Sequence, residues 1–231
     1  MEQEIKAIHL GGVNCYLVKT GAGHILIDTG FKGKRLKLEK ELAGAGCKPG
    51  DLKPIILTHG DSDHVDNAAY LREKYGAKIA MHKDDAGMVE RGDMGWNRKA
   101  EPDHMSLLFK IMSHVVKPGK FATFKPDLLI DESFDLSAYG LDAKVLHLPG
   151  HSKGSIGVLT PGGDLFCGDL LYNFFGRPNS QFIDDLAAFD ASIEKISKLN
   201  VKTVYPGHGR PFSLDRFLVN LRRIALSRQH E

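Results

Sequence analysis

The segment Thr58-His59-Gly60-Asp61-Ser62-Asp63-His64 holds two imidazoles and two carboxylates within six residues. Histidine is the commonest metal ligand and acid–base side chain, and aspartate supplies hard oxygen donors. The segment follows a short apolar run at residues 55–57 and precedes a helical pattern, so it reads as a strand-to-helix loop. Such a loop can converge side chains that a straight strand would point to alternate faces. Alone it reads equally well as a solvated acidic turn capping the next helix. Three later positions tip the balance. His151 lies in Leu148-Pro149-Gly150-His151-Ser152-Lys153-Gly154, Asp169 in Phe166-Cys167-Gly168-Asp169, and His208 in Tyr205-Pro206-Gly207-His208-Gly209. Each is a ligand-type residue beside glycine where a predicted strand ends, and glycine lets the backbone approach a centre closely. These four of the chain's eleven histidines are candidate ligands; His9, His24, His82, His104, His114, His147 and His230 receive no chemistry.

Strand patterns at residues 4–10, 13–18 and 24–27 lead to a helix over 32–45 that stops at glycine with Pro49 beyond. A strand at 55–57, a helix over 66–75 and a strand at 78–81 complete the first half. The second half carries strands at 143–147, 155–159 and 165–167, helical patterns at 183–199 and 214–228, and a short strand at 203–205 between them. Two strand-rich halves, each followed by helices, predict an α+β fold of two packed mixed sheets with helices on the outer faces. One domain over 1–231 is expected, with a helical cap-like insert at about 84–127 that is rich in Met, Phe and Lys and lacks a strand rhythm.

Composition narrows the function classes. Hydrophobic residues at 42% and charged residues at 26% are those of an ordinary globular chain. A net charge of +2 gives no support for binding nucleic acid or an anionic membrane. Three cysteines, Cys15, Cys47 and Cys167, cannot pair completely and have no CxxC spacing. With no apolar signal segment at the start and no run of about 18 apolar residues, the expected location is the cytoplasm.

The ordered motifs, from Leu26-Ile27-Asp28-Thr29-Gly30 to Pro206-Gly207-His208-Gly209, resemble the metallo-β-lactamase-fold hydrolase superfamily over most of the chain. The resemblance implies an αββα sandwich with two divalent metal ions at one edge, between the sheets. It implies that His59, Asp61 and His151 hold the first ion, that Asp63, His64 and His208 hold the second, and that Asp169 bridges them. Asp28 would orient the site from behind, and a metal-bridging hydroxide would attack the substrate. Asp63 would serve as ligand or as proton relay to the leaving group, and Tyr172, three residues after Asp169, as an oxyanion donor or as a packed aromatic.

One position departs from the family's HxHxDH pattern: Asp61 stands where a histidine is usual. Some members, such as the flavodiiron branch, place a carboxylate here. Two divalent ions, two carboxylates and a hydroxide carry one net positive charge, which Asp61 would cancel. A neutral centre is a weaker Lewis acid, so bound water should ionise at higher pH. The extra oxygen also tilts the preference from zinc toward manganese or iron.

The expected reaction is hydrolysis of an ester, thioester, lactone or related bond of a small molecule. The alternatives are a di-iron or di-manganese redox protein, a phosphodiesterase, and a non-catalytic metal-binding sensor. Glyoxalase II-like relatives carry a further helical domain for glutathione, and only 22 residues follow Gly209. The basic side chains of the insert, Arg98 and Lys99 among them, could meet an anionic substrate, but most such clusters are simply solvated, which is the expectation here. The apolar ones (Met88, Met94, Trp96, Met105, Leu107, Leu108, Phe109, Ile111 and Met112) should bury it against the body, shape an acyl-bearing substrate, or form a homodimer contact.

Overall fold

The computed structural model describes residues 4–107, 109–111 and 121–227. Six strands form the first sheet: β1 (Ile5–His9), β2 (Asn14–Thr20), β3 (Gly23–Ile27), β4 (Leu52–Ile56), β5 (Ile79–His82) and, after two further residues of pairing at β6 (His104–Met105), β7 (Leu128–Ile130). Their spatial order is β1-β2-β3-β4-β5-β7. The first three pair antiparallel and the rest parallel. The second sheet is built from β8 (Lys144–His147), β9 (Ile156–Leu159), β10 (Asp164–Phe174), β11 (Arg177–Asn179), β13 (Thr203–Gly209) and β14 (Phe212–Ser213), while β12 (Phe182–Ile183) pairs with β6.

Both faces of each sheet are buried, and the alternation of side chains shows why. Along β2, Cys15 and Leu17 join one apolar cluster with Leu38 and Leu42 of helix α1 (Arg35–Gly44), Leu71 and Tyr75 of α3 (Ala68–Tyr75) and Val89 of α4 (Lys83–Arg91). The intervening Tyr16 and Val18 pack with Ile25, Ile27, Ile56 and Ala80 against Val145, Ile156, Val158 and Phe166 of the other sheet. The outer face of the second sheet takes Phe189, Ile193 and Ile196 of α5 (Leu186–Ser197), spaced to share one helix face, and Leu214 and Phe217 of α6 (Leu214–Ser227). Three apolar layers between four structural layers make the αββα sandwich. A strand period of two with both sets apolar is what a doubly covered sheet requires.

Three local expectations change. The helix expected over 66–75 is α3, which starts two residues later, and a short helix not expected, α2 (Ser62–Val65), precedes it with Asp66 and Asn67 between them. Asp169 and His208 do not lie past strands: β10 continues through Asp169 and Tyr172, and β13 through His208. The apolar run ends where glycine enters, but pairing resumes after register shifts around Gly168. The segment 84–127 begins as α4, the crossover between parallel β5 and β7, whose Met88 and Val89 are buried. It is therefore partly a layer of the sandwich. Leu107 and Ile111 are exposed; Leu108, Met112 and His114 lie outside the described residues, as does His230. Among the described residues no helix is long and apolar enough to cross a membrane.

Candidate metal centre

The loop after β4 delivers His59 and Asp61, and helix α2 that follows it delivers Asp63 and His64; the loop after β8 delivers His151; β10 and β13 deliver Asp169 and His208. Asp61 Oδ2 lies 3.0 Å from His151 Nε2 and 3.5 Å from His59 Nε2. His208 Nε2 lies 3.2 Å from Asp63 Oδ2, 3.2 Å from Asp169 Oδ2 and 3.4 Å from His64 Nε2. His64 Nε2 is 3.3 Å from Asp169 Oδ1. Ligand atoms about 2.0–2.1 Å from a tetrahedral ion sit about 3.3 Å apart. The seven predicted ligands are brought to that spacing, in the two predicted groups, with Asp169 against the His59–His64 side.

The four imidazoles present the same nitrogen inward. His64 donates Nδ1–H to Asp28 Oδ2 at 2.8 Å, and His208 donates Nδ1–H to the Gly12 carbonyl at 2.6 Å. Nδ1 of His151 faces the Phe182 carbonyl at 3.4 Å. Thr58 donates its hydroxyl to Asp28 Oδ2, so its oxygen accepts Nδ1–H from His59 at 2.9 Å. Acceptors on every Nδ1 leave every Nε2 with its lone pair turned to the centre, the arrangement that orients histidine toward a metal. Buried His59 Nε2 and Asp169 Oδ1 have no hydrogen-bond partner. Unpaired buried polar atoms are costly, and a pair of divalent ions would satisfy both, so the residues present fit the group.

Asp28 sits in the left-handed region at φ 59°, which aspartate tolerates better than most side chains. It accepts from the Thr58 backbone N–H at 2.8 Å and, through Oδ2, from Thr58 and His64. Two glycines allow the close approach. A Cβ at Gly207 would lie 2.2 Å from Asp169 Oδ1, and one at Gly168, where φ is +52°, would lie 2.5 Å from Thr58 Oγ1.

Electrostatics follow from packing carboxylates against imidazoles. Burial works against charge on Asp169, yet His208 and His64 hold its carboxyl well below the usual range. Burial would lower the His208 imidazole, but Asp169 and Asp63 push it up to about 10. His64 is likewise raised, against its burial, by Asp169, Asp28 and Asp63. The surrounding carboxylates therefore favour the protonated form of both rings, and each Nε2 offers its lone pair to the centre only when that proton leaves.

Tyr172 is fully buried in β10 rather than loop-borne. Its hydroxyl donates to Asp169 Oδ2 at 2.7 Å, and its ring stacks on His208 at 5.3 Å. That hydroxyl holds the carboxylate between the two ligand groups.

Three contributors went unread in the sequence. Asp85 on α4 accepts from Gly60 N–H, the Ser152 hydroxyl and Gly154 N–H at 3.2, 2.6 and 2.7 Å, tying the His59 loop to the His151 loop. Asn14 donates to the Pro206 and Gly209 carbonyls on either side of His208. Arg98, expected to be solvated, is largely covered and forms an ion pair with Asp61 at 2.9 Å. It returns the positive charge that Asp61 subtracts, so the charge tally of the centre has to include the guanidinium. The Asp84-Asp85 pair at a helix start was the one sequence signal for Asp85; nothing local marks Arg98. His147, left without chemistry, stacks on His82 at 4.2 Å and donates Nε2–H to the Lys153 carbonyl.

A sequence model of the metallo-beta-lactamase superfamily matches residues 9–208, the span that contains all seven candidate ligands. The chain belongs to the metallo-β-lactamase superfamily. Within it, the chain is 26% identical over 201 residues to a beta-lactamase-like protein 2 homolog of Caenorhabditis elegans, covering 87% of this chain and 57% of that protein. It thus spans under two thirds of that relative's length. It is 26% identical over 221 residues to the acyl-coenzyme A thioesterase MBLAC2 of Gallus gallus, covering 88% of this chain and 74% of that one. Among solved structures, TTHA1623 in a di-iron-bound form is 28% identical with a TM-score of 0.62, covering 92% of this chain and 96% of that one.

Proposed function

We propose that this protein is a binuclear metallohydrolase that cleaves an ester, thioester, lactone or related bond of a small molecule. The observation that carries this is the convergence of four Nε2 atoms and three carboxylates, with every Nδ1 facing an acceptor outside the centre. His59, Asp61 and His151 would hold one ion, Asp63, His64 and His208 the other, and Asp169 would reach both. When bound, two divalent ions supply Lewis-acid polarisation and an activated water. The chain's own part is to fix the ligands, through Asp28, Thr58 and Tyr172, and to shape what enters. Phe109, whose ring meets Tyr172 edge-on at 5.8 Å, supports a wall formed by the segment after β6. Asp63, about one-fifth exposed, is the carboxylate best placed to move a proton to a leaving group.

A thioester is the first substrate to try, because one relative is named as an acyl-coenzyme A thioesterase. Elemental analysis of purified protein, followed by a panel of thioesters, esters, lactones and phosphodiesters, tests the proposal. Turnover that is lost on chelation and restored by metal supports it; bound metal without turnover of any class points to the sensor. The redox reading keeps one specific support, the carboxylate at Asp61 together with the di-iron-bound neighbour. Bound iron with oxygen consumption and no hydrolysis would select it. Asp61→His should move metal preference from manganese or iron toward zinc, and an unchanged preference would remove Asp61 as the determinant.

A further inference from the structure

Arg98 lies in the turn between α4 and β6, with its side chain only 11% exposed. One terminal nitrogen, Nη1, is 2.9 Å from Asp61 Oδ1; the other, Nη2, donates to Asp61 Oδ2 at 3.1 Å and lies 3.3 Å from His151 Nε2. The guanidinium carbon stands 5.2 Å over the Phe182 ring, and the next residue is anchored by Lys99 N–H donating to buried Asp184 at 2.9 Å. Arg98 Nε has no hydrogen-bond partner. The polar contacts of this cation are therefore with the two side chains expected to ligate the first ion.

Those contacts are on the ligating atoms themselves. Nδ1 of His151 is turned to the Phe182 carbonyl and Nε2 to Asp61 Oδ2 and Arg98 Nη2, so in the tautomer that can ligate, with the proton on Nδ1, Nε2 offers the ring's single in-plane lone pair. That lone pair can accept an N–H or bind a metal, but not both. Asp61 Oδ2 could be shared geometrically, yet a guanidinium and a divalent ion on one carboxylate repel. Among the described residues no arginine or lysine reaches Asp63, His64, His208 or Asp169 in this way.

We propose that the Arg98 guanidinium and the first metal ion are mutually exclusive partners of His151 and Asp61. The protein then loads the Asp63–His64–His208–Asp169 position first. The His59–Asp61–His151 position fills only when Arg98 withdraws, at higher metal concentration. Arg98 acts here as a built-in competitor that sets how many ions the chain holds. This inference rests on the metal-centre assignment above.

Chelator-stripped protein should be titrated with Zn(II) or Mn(II) by calorimetry and by competition with a chromophoric chelator, with metal per chain measured after desalting. Wild type should hold one tight ion and a second bound more weakly by a coupling of about 5–150-fold. Arg98→Met, of similar length but uncharged, should bind two ions with similar affinity. Arg98→Lys should stay close to wild type, and circular dichroism checks that both variants fold. Two equally tight ions in wild type, or loss of an ion in Arg98→Met, would overturn the competitor role while leaving the metal centre standing. No bound metal in either protein would overturn the metal centre itself.

Discussion

His64 donates Nδ1–H to Oδ2 of Asp28 at 2.8 Å, and the same carboxylate oxygen accepts the Thr58 hydroxyl that in turn receives Nδ1–H from His59. One aspartate therefore fixes the ring orientation of a histidine in each predicted ligand group. Asp28→Asn keeps the shape and the tolerance for φ 59° but loses the charge and one acceptor. It should weaken metal binding about 10–100-fold, read by chelator competition, with little change in circular dichroism.

Tyr172 and Asp169 form a second such pair. Burial and the Asp169 charge push the phenol well above its ordinary range, so it stays protonated and donates. Tyr172→Phe should lower metal affinity as well as turnover. If kcat falls while metal affinity and content stay unchanged, Tyr172 acts on the substrate instead.

Asp85 links two ligand loops through three hydrogen bonds and is 1% exposed. Asp85→Ala leaves the Gly60 and Gly154 N–H groups without an acceptor and leaves the Ser152 hydroxyl only Ser155 Oγ as a partner. Denaturant unfolding should show a loss of about 2–4 kcal/mol, together with weaker retention of metal by the His151 side of the centre.

The pH dependence follows from His208. Its folded value of about 10 lies above the unfolded value of about 6.5. In the metal-free protein this group contributes stability that is fully present below pH 6.5 or so and is lost as pH rises through about 10. A metal needs the neutral ring, so uptake at neutral pH must release protons. Calorimetry in buffers of different ionisation enthalpy should detect that release, and affinity should rise with pH up to about 10. Binding without proton exchange would contradict the protonated state described for His208.

Much of this protein was legible in the chain alone. The order of the strands, the covering helices and seven candidate ligands follow from local patterns, because glycine-flanked histidines and apolar alternation are local signals. Asp28 was legible only through its motif. What needed the tertiary structure is contact across long separations. Arg98 meets Asp61 37 positions away and His151 53 positions away, and Asp85 spans loops from both halves. A buried ion pair of this kind has no periodicity and no motif, since either partner alone looks like an ordinary surface charge. The sequence by itself determined where a metal-binding centre could form, and its resemblance to the family's HxHxDH pattern marked Asp61 as the unusual member. Only the packing of the segment after α4 onto the sheet edge decided that Asp61 already has a cation, because burial forces a charged group to find a partner.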